Sequence, residues 1–109
     1  MAALGFGIEK DYFLQSLING AGHLSPTALD LMKMKPGQVM TAFHHDFDLL
    51  TVHGKPRFGG LFIWLNTSEK VKVQVPEGHL LLQAGKQLEW MTGGHVKSGY
   101  HEVVFTDEV

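Results

Sequence analysis

From Gln38 to Phe105 the apolar side chains recur in short runs, many of them at alternate positions, and the runs are broken by glycine, proline and asparagine. That is the pattern of half-buried strands joined by tight turns. It predicts strands over 38–46, 49–53, 60–66, 70–75, 79–84, 88–91 and 96–105. Ahead of them, Phe13 with Leu17 and Leu14 with Ile18 lie four residues apart, which places each pair on one stripe of a helix. Asn19-Gly20 supplies the stop signal. The expectation is a mainly β chain with an N-terminal helix that packs but carries no chemistry.

Alternation along the predicted strands makes Leu50, Val52, Phe62, Trp64, Leu80, Leu82, Gln83 and Tyr100 candidates for an inward-facing pocket. Composition agrees with a turn-rich β architecture. Of the 13 glycines, most fall at predicted reversals such as Asn19-Gly20, Gly59-Gly60, Gly78, Gly85 and Gly93-Gly94. A chain of 109 residues is expected to form a single domain with a modest core, residues 1–36 being a helical and irregular lead-in and 37–109 the β core.

Charge and cysteine content narrow the function classes. With 9 basic and 11 acidic residues interspersed, there is no basic stripe of the kind that binds nucleic acid. No cysteine is present, which excludes a disulfide framework and thiolate metal ligands. The first residues, MAALGFGIEKDYF, lack a basic region followed by a long apolar run, and no stretch reaches about 20 apolar residues. A cytoplasmic chain without membrane or nucleic-acid partners is expected. No phosphate-cradling G-x-G-x-x-G or Walker pattern and no internal repeat occur.

The candidate chemistry lies in His44-His45-Asp46-Phe47-Asp48 and in His101, 57 positions after His44. In an extended segment, residues two apart share a face, so His44 and Asp46 converge while His45 points away. His101 arrives from another strand. Two imidazoles and one carboxylate form a facial triad that leaves open positions on a non-haem iron(II). His45 and Asp48 are the alternatives if the register differs by one residue or the carboxylate is the second one. His23, His53, His79 and His95 are read as turn, surface or satisfied strand residues.

The order of segments resembles the catalytic core of the iron(II) and 2-oxoglutarate-dependent oxygenases, in the branch of isopenicillin N synthase-like and plant dioxygenase-like enzymes. The resemblance rests on His44 and Asp46, Leu49 to Thr51, Gly59 to Leu61, Pro76 to Gly85, Thr92 to Gly94, and Lys97 to His101. It implies a double-stranded β-helix (jelly roll, cupin-like) and iron(II) held by His44, Asp46 and His101. It also implies 2-oxoglutarate and dioxygen as co-reactants in the oxidation of a small-molecule substrate. Gln83, which stands where the family often has Asn, is a candidate contact for the cosubstrate.

Three departures accompany the match. Glu102 follows the distal His where the family usually has Arg, and Lys86 follows Gly85 where it usually has Asp. The family's Arg-x-Ser pair, which anchors the distal carboxylate of 2-oxoglutarate, has no counterpart before Val109. Arg57, the single arginine, or Lys97 would substitute, a guanidinium being the better partner for a carboxylate. The resemblance therefore implies a C-terminally truncated fragment whose β-helix is incomplete. An uncovered edge strand would then favour pairing of two copies. The alternatives are a cupin-like metal-binding module that holds zinc or nickel without turnover, and a non-catalytic fragment that has lost the cosubstrate anchor.

Overall fold

The computed structural model describes residues 1–55 and 59–107. Two short helices, α1 (Ala2–Gly5) and α2 (Tyr12–Leu17), open the chain. They are followed by β1 (Val39–His44), β2 (Leu50–His53), β3 (Leu61–Trp64), β4 (Lys70–Lys72), β5 (Leu81–Ala84), α3 (Lys86–Met91) and β6 (His101–Val104). Strands β1-β6-β3-β4 form one antiparallel sheet in that order, and β2 pairs with β5 in a second. This is the two-sheet arrangement of a jelly roll, with the second sheet reduced to two strands.

Two glycines set how closely the chain can fold on itself. Gly60 has φ +147°, and a Cβ there would overlap the Val104 carbonyl, so only glycine lets β3 start flush against β6. At Gly85 a Cβ would overlap the Asp48 carbonyl and carboxylate, where the end of β5 crosses the segment that follows β1. Gly85 N donates to Leu49 O at 3.1 Å, which closes that crossing.

The core is small. Ala3, Leu49, Leu88 and Phe105 are its buried apolar side chains among the described residues. The chain exposes 8359 Å², against about 6000 Å² for a closed folded monomer of its mass. On the outer face of β2–β5 the cross-strand partners Val52 and Leu82 are 59% and 56% exposed.

Several expectations are revised. Residues 86–91 are a helix, whereas the sequence predicts a strand over 88–91. Lys-Gln-Leu-Glu is a run of good helix formers, and Lys86 pairs with Glu89 at 2.9 Å one turn along. The helix closes with a Schellman motif, Gly94 N donating to Glu89 O at 2.8 Å and Gly93 N to Trp90 O at 3.1 Å, with Gly93 at φ +60°. The strand expected over 96–105 is regular only over 101–104, because Ser98 N and Oγ both donate to Glu89 Oε2 at 2.7 Å and draw that stretch onto α3. The strand expected over 38–46 ends at His44.

The inward set also changes. Thr51, His53 and Gln83 face the site, while Val52, Leu80 and Leu82 are exposed. Phe62 and Trp64 sit beneath Lys70, whose Nζ is 4.6 and 5.2 Å from their ring centroids. They therefore face away from Ile63, the strand partner of His101.

Candidate metal centre

β1 and β6 run antiparallel with His44 directly opposite His101, and the two rings lie 4.2 Å apart between centroids. Directly opposed residues of an antiparallel pair share one face. Asp46 lies two residues beyond the end of β1, where its carbonyl accepts from Lys86 N at 2.8 Å. Its carboxylate lies against both rings. Oδ1 sits 3.4 Å from His44 Nε2 and 3.7 Å from His101 Nε2.

The three ligand atoms lie within 4.8 Å of one another. Two ligands each about 2.1 Å from one ion are separated by about 3 to 4 Å, so the Asp46 distances match a shared cation. Two nitrogens and one carboxylate oxygen also suit iron(II) chemically.

Each ligand is held at the atom that does not face the centre. His44 Nδ1 is 2.7 Å from Ala42 O, and His101 Nδ1 is 3.0 Å from Gly99 O. The backbone carbonyl two residues earlier thus takes the Nδ1 proton on both strands and leaves the Nε2 lone pair for a metal. Asp46 Oδ2 accepts from Thr51 Oγ1 at 2.5 Å, leaving Oδ1 for the centre. His101 is only 4% exposed. Burial holds its pKa below the ordinary imidazole value, against the opposing pull of the Gly99 bond and the Asp46 charge. A neutral ring is the form that coordinates.

The two alternatives are placed elsewhere. His45 packs against Phe47 and Tyr100, with centroids 5.2 and 4.9 Å apart. Asp48 is directed at the same Thr51 hydroxyl, its Oδ2 2.7 Å from Thr51 Oγ1, which has one hydrogen to share between the two carboxylates.

The candidates for cosubstrate binding are scattered. Lys97 lines a cleft of about 320 Å³ with Phe43, Trp64, Lys86, Glu89 and Tyr100, and none of the three ligands borders it. Phe43 precedes His44 and Tyr100 precedes His101, so strand alternation puts this cleft on the opposite face. Arg57 lies outside the described residues. Gln83 is inside but engaged, its Nε2 donating to Gly99 O at 3.0 Å and its Oε1 accepting from His53 Nε2 at 2.8 Å.

Thr51 and His53 were not singled out by sequence reasoning. Their parity two apart on β2 was available, but not the face it selects. Among the other histidines, the ring of His79 bonds the carbonyl of Glu77 within its own turn, at 3.0 Å.

The sequence profile of the 2OG-Fe(II) oxygenase superfamily matches residues 26–108, most of the chain and both parts of the triad. The chain belongs to that superfamily. Two solved structures resemble this oxygenase domain. One is a protein from Shewanella oneidensis assigned as an oxygenase, with 23% identity, a TM-score of 0.60, and coverage of 69% of this chain and 28% of that one. The other is a full-length Neurospora crassa protein in complex with alpha-KG, that is, 2-oxoglutarate, with 25% identity, a TM-score of 0.60, and coverage of 72% and 24%. The chain thus spans about a quarter of the length of the solved structures it matches. No curated protein matches it. The family's cofactors are Fe(II) and 2-oxoglutarate. Among the described residues no helix is long and apolar enough to cross a membrane.

Proposed function

We propose that this oxygenase domain holds iron(II) through His44 Nε2, Asp46 Oδ1 and His101 Nε2 and takes part in the 2-oxoglutarate-dependent oxidation of a small molecule. The observation that carries the reading is the matched bracing of the three ligands, each fixed at its outer atom and open at its inner one. With 2-oxoglutarate and dioxygen, iron supplies oxidative decarboxylation to succinate and carbon dioxide, and with it the oxidising power spent on the substrate.

The protein's own part is positional. His44 and His101 offer neutral nitrogens, Asp46 offers one carboxylate oxygen, and β2–β5 covers the inner side with Thr51, His53 and Gln83. Arg57, the chain's single arginine, is the guanidinium we assign to the distal carboxylate of 2-oxoglutarate, a planar fork being a better partner for a carboxylate than a lysine. We also place the domain in the cytoplasm as a single unit over 1–109 and assign the open edges of the β2–β5 sheet to pairing of copies.

The test is an anaerobic titration with iron(II) and then 2-oxoglutarate, following the visible metal-to-ligand charge-transfer band, with His44→Ala as control. A band present in the wild type and lost in the variant is expected. Iron binding that depends on His44 but develops no band would instead identify a metal-holding module without cosubstrate chemistry.

A further inference from the structure

We propose that Gln83 and His53 form a positioning brace for His101, reaching from the two-stranded sheet to the four-stranded one. The inference rests on His101 being a metal ligand, and it gives Gln83 a role other than holding cosubstrate. Gln83 is 7% exposed and lies on β5, while His101 lies on β6 of the other sheet. Its amide is the polar link between them. Nε2 donates to Gly99 O at 3.0 Å, the same oxygen that lies 3.0 Å from His101 Nδ1. A carbonyl has two lone pairs and can take both donors.

Gln83 therefore fixes the carbonyl that selects the Nδ1-protonated tautomer of His101, the form whose Nε2 is free for a metal. The amide nitrogen lies beside Nδ1; with Nδ1 protonated the two N–H groups do not bond each other but both point at the Gly99 oxygen, which holds ring and amide side by side.

His53 completes the unit. It sits on β2, its Nε2 donates to Gln83 Oε1 at 2.8 Å, and that bond orients the amide so that its nitrogen end faces Gly99. Because the amide's oxygen is taken by His53 and its nitrogen by Gly99, no polar atom of Gln83 points freely toward a ligand. Its register partner Thr51 braces Asp46 by the same logic, so adjacent positions of β2–β5 hold two different ligands.

The experiment is a cobalt(II) titration of the full chain, following the visible d–d bands, with folding of each variant checked by circular dichroism without metal. Gln83→Met keeps the volume and removes every hydrogen bond. It is expected to weaken cobalt(II) binding about 10- to 100-fold and to alter the bands. Gln83→Glu keeps an oxygen that accepts from His53 but loses the donor to Gly99 O, and is expected to lose affinity as well, since the brace acts through that donor. His53→Phe is expected to give a smaller loss that disappears when Gln83 is already Met, since the two act as one unit.

A folded Gln83→Met protein with wild-type affinity and bands would overturn the brace while leaving the metal site intact. Binding that is absent in the wild type, or unchanged in His44→Ala, would overturn the metal site and the brace with it.

Discussion

The two faces of the β1–β6 pair carry opposite chemistry. On the inner face His44 and His101 each bond a backbone carbonyl and approach Asp46. On the outer face Phe43 stacks on Tyr100 with centroids 4.7 Å apart and meets Trp64 edge-on at 4.6 Å, yet Phe43 remains half exposed. The usual arrangement of a small sheet is partly reversed: His101 is buried and Asp46 half-buried, while Phe43 and Tyr100 are exposed. Order on the inner face comes from hydrogen bonds that satisfy every buried polar side-chain atom among the described residues, and order on the outer face from ring contacts together with Lys70, which lies over Phe62 and Trp64 and pairs with Glu102.

That contrast can be broken at the inner face first. Asp46→Ala removes the one carboxylate that both Nε2 atoms face, and metal affinity should fall more than about 100-fold, equivalent to roughly 3 kcal/mol. Calorimetric titration with a divalent metal checks it, and the metal-free unfolding midpoint should change far less.

Next is the crossing that holds the inner face closed. Gly85→Ala places a methyl group into the Asp48 carbonyl, and overpacking of this kind costs about 1–3 kcal/mol. Urea unfolding should show a lower midpoint with unchanged slope, and metal affinity should fall with it because Asp46 lies two residues before Asp48.

A smaller effect is expected at the clamp between α3 and β6. Lys86 and the two Ser98 bonds hold the Glu89 carboxyl at about 2, below its ordinary value of 4.5. A carboxyl with a depressed folded pKa stabilises the fold above its unfolded pKa, and that contribution disappears as pH falls through the folded one. Wild type should therefore lose stability relative to Glu89→Gln between about pH 4.5 and pH 2. Unfolding midpoints of the two proteins across that window should converge, and parallel curves would sink the idea.

The smallest change is expected on the open outer face of β2–β5. Leu82→Thr, on an exposed side chain with β propensity retained, should shift stability by no more than about 0.5 kcal/mol. A large loss would mean that this face is covered in solution.

The grouping of His44, Asp46 and His101 was legible because most of its signal is local. His-x-Asp at the end of one strand and a histidine in a second strand place two ligands by alternation, and His44 did meet His101 across β1–β6. Most strand positions were readable for the same reason, from apolar runs bounded by glycine and proline. Residues 88–91 were misread because Leu-Glu-Trp-Met is too short for its period to separate helix from strand. The Schellman glycines and the Glu89–Ser98 clamp made it a helix.

Gln83 was picked out for its polarity, yet its partners were not legible. A hydrogen bond to Gly99 spans 16 residues and one to His53 spans 30. Neither distance leaves a pattern in the chain.

By itself, then, the sequence determined the turns, the alternating runs and the three side chains we propose as metal ligands, since these depend on residue type and spacing along single segments. The tertiary structure decided which face of β2 and β5 looks inward, which oxygen and which nitrogens are left open, and what holds them. Those outcomes depend on register and on packing between two sheets, where a shift of one residue exchanges every inner side chain for an outer one.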